Sequence, residues 1–139
     1  MKCDKLLVMA AATLIAVVGT AYAETPPKRS SDFQRNYQTL VKDQHASPQV
    51  ASCIATGYDL VERNKRFDRL GFTAEDIAKA KTNRKAGKFS AGDPTKVSAV
   101  ISIPGEARPR ADTTNWATIT LRCGVVKGQI KAIEIKTAS

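Results

Sequence analysis

Few residues in this 139-residue chain combine side-chain chemistry with spacing that could serve a function. They are Cys53, Cys123, His45 and two basic clusters. The two cysteines stand 70 positions apart, a separation that matches no metal-ligand spacing, and His45 is not near either in sequence. In an oxidising compartment such an even pair is expected to close one structural disulfide. A loop of that length should contribute roughly 4 kcal/mol by restricting the unfolded chain. His45 lies in a polar stretch with no nucleophile pattern beside it and reads as a surface residue. The carboxylates are scattered, with no pairing that suggests an acid–base couple. A Gly-rich phosphate loop, an H-E-x-x-H and a G-x-S-x-G are all missing from the sequence. No catalytic residue, metal ligand or cofactor is therefore assigned. A small envelope hydrolase or transferase is the alternative reading, and it requires His45 or an acidic group to sit in a cleft.

The basic clusters point elsewhere. Lys79, Lys81, Arg84, Lys85, Lys88 and Lys96 form a run interrupted only by Asp93. Arg108-Pro109-Arg110 lies in the stretch Pro104 to Asn115, which reads as a twelve-residue connection between two strands. That is longer than hairpin pairing requires. Its prolines limit the entropy lost on binding, and guanidinium groups pair well with carboxylate or phosphate. Trp116 follows directly, either covering the sheet or standing beside the arginines as a contact. The expected contacts for an anionic partner are Arg108, Arg110, Trp116, Arg84, Lys85 and Lys88.

The N-terminus says which partners are within reach. Lys2 and Lys5 precede an apolar run from Leu6 to Gly19, and Ala21-Tyr22-Ala23 supplies the small-x-small step that signal peptidase accepts. Fourteen apolar residues are too few to span a bilayer, which needs about 20, so the run reads as a cleaved signal rather than an anchor. Cleavage after Ala23 removes Lys2, Lys5 and Asp4 from a chain with 22 basic and 13 acidic residues. The 116 that remain carry 20 basic and 12 acidic, a net charge of +8. Cys3 leaves with the signal. A periplasmic or secreted protein of this charge is expected to meet an acidic protein, anionic lipid or lipopolysaccharide rather than nucleic acid.

The elements that must position these residues follow from periodicity. Residues 24–30, with Pro26-Pro27, read as a disordered lead-in to a single domain over 31–139. Ser31 and Gln34 form a capping-box pattern ahead of the stripe Phe33, Tyr37, Leu40 and Val41. Ser47-Pro48 opens a long helix whose apolar stripe runs from Val50 through Cys53, Ile54, Leu60, Phe67 and Leu70, with Gly71 as its stop. Thr73 and Asp76 cap a short third helix. Residues 83–95 carry Gly87, Gly92 and Pro94 and read as irregular. Alternation then marks strands over Val97–Ile103, Trp116–Val125 and from Ile130 through Ile135, the last with a bulge, joined by a turn at Lys127-Gly128. The expected fold is α+β: two or three helices, one of them long, packed on a three-stranded antiparallel meander and stapled by Cys53–Cys123.

Val50-Ala51-Ser52-Cys53, Gly92-Asp93-Pro94, Ala107-Arg108-Pro109-Arg110 and Leu121-Arg122-Cys123-Gly124, with Gly128 after it, resemble the BspC-type exported proteins of proteobacteria. The resemblance spans most of the chain beyond the signal. It implies a short exported chain with two cysteines and no established catalytic activity, and it extends the export reading to a secreted effector of a host-associated bacterium. The remaining expectation is a structural envelope component.

Overall fold

A computed structural model describes residues 21–138. Most of the expected signal, residues 1–20, lies outside the described residues.

The helices form where capping and periodicity agree. Ser47 accepts a hydrogen bond from the Val50 N–H at 3.3 Å and Pro48 takes the first position of α2 (Pro48–Val61). Helix α1 (Phe33–Lys42) packs against α2 and buries Phe33 and Leu40. Its N-cap is Asp32 without a side-chain cap bond, so the Ser31 capping box does not form.

Helix α2 ends at Val61, well short of the expected Leu70. The side-chain oxygen of Asn64 accepts the N–H groups of Arg66 and Phe67 at 2.8 and 2.9 Å, which turns the chain into strand β2 (Phe67–Gly71). A register irregularity between Phe67 and Arg69 lets both Phe67 and Leu70 face the core although they are an odd number of positions apart. That bulge imitates helical spacing. Helix α3 (Ala74–Ala78) carries the reciprocal Thr73–Asp76 capping box.

Strands β6 (Ala99–Pro109), β7 (Ala117–Val126) and β8 (Gln129–Thr137) form the expected antiparallel meander, but it is only the centre of a six-stranded sheet. Strand β1 (Ala21–Glu24) pairs with β8, straddling the expected cleavage point. The other edge of β6 carries two strands in tandem: β3 (Lys81–Asn83) opposite Val100–Ser102, and β2 opposite Glu106–Pro109. Pro104-Gly105, expected to end the strand, falls in the gap between these two partners, where a missing N–H breaks no ladder on that edge. The β7–β8 turn has both Lys127 and Gly128 at positive φ, 50° and 76°. One β8 residue, Lys131, is left over between the Gly124–Ala132 and Val125–Ile130 pairs, which is the expected bulge.

The 83–95 stretch is not irregular. It holds a separate hairpin, β4 (Gly87–Ser90) and β5 (Asp93–Val97). Helices α1 and α2 cover one sheet face, over Ile101, Ile103, Ile119, Leu121, Ile133 and Ile135. The hairpin covers the other through Phe89 and Val97, packed with Ala132, Val100 and Val126. Gly124 makes that contact close, since a Cβ there would lie 2.6 Å from Val97 Cγ1. The Cys53–Cys123 disulfide joins α2 to β7 through two fully buried residues.

The lead-in is pinned rather than loose. Buried Asp59 on α2 accepts hydrogen bonds from the backbone N–H (3.0 Å) and hydroxyl of Ser30, and the Arg29 guanidinium lies 4.2 Å from the Phe33 ring centre. Among the described residues, no helix is long and apolar enough to cross a membrane.

Candidate functional site

The structure relocates the two arginines. Arg108 is in strand β6, not a loop, and its Nε and Nη2 donate to both oxygens of Asp68 at 2.7 and 2.8 Å. This bidentate bond holds the Asp68 carboxyl below its ordinary value and raises that of Arg108. Arg110 donates through Nε to the Asn64 carbonyl at 2.7 Å and through Nη2 to the Val61 carbonyl at 2.8 Å, capping the C-terminus of α2. Both guanidiniums expected to meet an external anion therefore have internal partners that fix the α2–β2 junction. Sequence reasoning missed this because Asp68 and the α2 terminus lie about forty positions or more away along the chain.

Arg84, Lys85 and Lys88 stand differently. With Lys81 and Lys96 they are exposed along β3, the 84–86 link and the β4–β5 hairpin. The hairpin register sets Lys88 directly opposite Lys96. Directly opposed side chains have Cβ atoms about 4.5–5.5 Å apart, and like charges there destabilise the pair. The nearby carboxylate, Asp93, accepts from the backbone N–H and hydroxyl of Thr95 at the hairpin turn. Lys79, at the end of the run, pairs with Glu75 at 3.0 Å. The result is a strip of five cations, none of which forms an ion pair with a carboxylate among the described residues.

Trp116 belongs to another surface. It is 40% exposed and lines a groove of about 560 Å³ with Gly71, Phe72, Thr73, Asp76, Glu106, Thr114 and Asn115. Its indole lies against Gly71, where a Cβ would meet Cζ3 at 3.3 Å. The Phe72 ring lies against Gly105, where a Cβ would meet it at 2.5 Å, and makes a tilted contact with Tyr58. Burial pushes the Tyr58 phenol up. Asp112 shapes the loop leading to Trp116, accepting from the Thr114 hydroxyl (2.7 Å) and the Asn115 amide (2.7 Å), which lowers its carboxyl. Two carboxylates, Asp76 and Glu106, face this groove, and none of the five cations of the strip lines it.

Behind the hairpin, Glu134 is 1% exposed and one of its oxygens accepts from Arg122, which also lies 5.1 Å from the Phe89 ring centre. His45 is exposed in the α1–α2 link at φ 55°. Among the described residues no group of three or more His, Cys, Asp or Glu is placed to hold a metal ion.

No protein-family model matches the chain, and neither a curated protein nor a solved structure matches it. Fold and surface together define a disulfide-stapled, mixed α+β domain with a basic edge and an aromatic groove.

Proposed function

We propose that this chain is an exported, non-enzymatic domain that binds an anionic partner through the basic edge formed by Lys81, Arg84, Lys85, Lys88 and Lys96. The observation that carries the reading is the Lys88–Lys96 register, a like-charge pair held face to face on an exposed hairpin. Such a pair is unfavourable in the free protein and is relieved when an anion lies across it. The Arg108–Arg110 segment takes no part, because its guanidiniums are already bonded.

The chemistry of the edge favours a phosphate-bearing surface, such as anionic lipid or lipopolysaccharide, over an acidic protein. Four of the five cations are lysines, which act as mobile point charges suited to a diffuse layer of phosphates. Recognition of individual carboxylates would use the bidentate fork of arginine, and the forks at 108 and 110 are taken. Export through a signal ending at Ala23 brings the protein to such surfaces. Cleavage there would also leave only Glu24 of β1 opposite β8.

The test is co-sedimentation with phosphatidylglycerol and phosphatidylcholine vesicles across a salt series. Wild type should bind the anionic vesicles, weakening as salt rises. Lys88→Glu/Lys96→Glu should lower that binding at least about tenfold, on about 1 kcal/mol for each cation removed near an anionic surface. Unchanged binding by the variant would remove the basic edge from consideration.

A further inference from the structure

We propose that the Trp116 groove is a binding site for a neutral glycan, with one pyranose ring stacked on the indole and its hydroxyls held by Asp76, Glu106 and Asn115. The site owes nothing to the basic edge. Along β6, Glu106 lies four to six positions from the residues that pair with β3, about 13–20 Å at strand spacing.

Trp116 is the exposed large hydrophobic residue of the described chain, and it is held in place rather than left loose. Gly71 lets the indole rest against β2, and Asp112 ties down the loop that delivers it. A flat aromatic surface that is both exposed and fixed offers contact area at little entropic cost.

The polar groups around it select the ligand class. One Asp76 oxygen accepts from the Thr73 N–H, which leaves the other as an acceptor. The Asn115 amide nitrogen is engaged with Asp112, which leaves its carbonyl oxygen as an acceptor. Glu106 is exposed on β6 and adds two more. An acceptor-rich rim around an apolar plate matches a molecule with hydroxyl donors on its rim and C–H groups on its faces, which describes a sugar ring.

Two rival ligand classes fit less well. A phosphate or sulfate would meet two carboxylates. A cationic side chain would find Asp76 and Glu106 as partners but would occupy only part of the space. The groove is open and about 560 Å³, which suits a stretch of polymer better than a single ammonium group.

Trp116 is the sole tryptophan of the chain, so its fluorescence reports the site directly. The experiment titrates the folded protein with chitotetraose, cellotetraose and maltotetraose, and separately with tetralysine. At least one neutral sugar should give a saturable shift or quench with a dissociation constant between about 10 μM and 5 mM, insensitive to salt. Ligand-observed saturation-transfer NMR should show that binding lost in Trp116→Ala and retained within about fivefold in Trp116→Tyr. Glu106→Gln should weaken it about threefold. Absence of a saturable response to all three sugars up to about 10 mM overturns the proposal. So does a salt-sensitive response to tetralysine that Glu106→Gln removes, which would assign the groove to a cationic segment.

Discussion

Removing the Cys53–Cys123 bridge should cost this domain a large part of its stability. The bonded cysteines enclose a loop with a separation of 70 positions. On the chain-entropy relation, closing such a loop takes about 15 cal/mol/K from the unfolded chain, or about 4.4 kcal/mol at 25 °C. Both residues are fully buried between α2 and β7, so replacing them by alanine also opens small voids, for a total of about 4–6 kcal/mol. Domains of this size are stable by only about 5–15 kcal/mol. Urea unfolding followed by far-UV circular dichroism measures the effect. With a urea slope of about 2 kcal/mol/M, the midpoint of Cys53→Ala/Cys123→Ala should fall by about 2–3 M. Wild type unfolded in reductant should behave like the variant. A fall below about 0.5 M at unchanged slope would rule out this explanation, because the bridge would then not be restricting the unfolded chain.

Three further outcomes follow from the packing. Arg122→Ala strands the buried Glu134 carboxylate and should cost about 3–5 kcal/mol in chemical denaturation, whereas Arg122→Met/Glu134→Leu, which removes both charges, should cost far less. Because the Arg108 hydrogen bond lowers the folded value of Asp68, that pair stabilises the protein above the unfolded value of about 3.8 and loses its effect as pH falls through the lower folded value. Asp68→Asn should therefore flatten the acid limb of a urea-midpoint-against-pH curve, and an unaltered limb would show the pair contributes nothing. Gly124→Ala places a methyl against Val97 and Phe89 and should cost about 1–3 kcal/mol, with hydrogen-exchange protection lost in β4–β5 before α2.

What could be read from the sequence was whatever buries a periodic apolar face. The Ser47-Pro48 start of α2, the Thr73 cap, β7, β8 with its bulge, and the cysteine pair all follow from local pattern. Strand β3 could not be read so, because Lys81, Thr82 and Asn83 are all exposed and only lend backbone bonds to β6. The hairpin hides for the same reason, anchored by just two buried apolar side chains, Phe89 and Val97. Pro104 suggested a strand end that the gap between β3 and β2 makes unnecessary. For the site, Arg84, Lys85 and Lys88 were visible as charge. The fate of Arg108 and Arg110 depended on Asp68 and on the end of α2, contacts that only the folded chain brings together.

The central claim is that the basic edge meets a phosphate-bearing surface, and amide chemical shifts of the labelled protein test it most directly. On titration with phosphatidylglycerol bicelles, shifts should concentrate at residues 81–97, fade with added salt, and be missing with phosphatidylcholine bicelles. Shifts centred on the 108–116 segment, or equal shifts with both lipids, would contradict it.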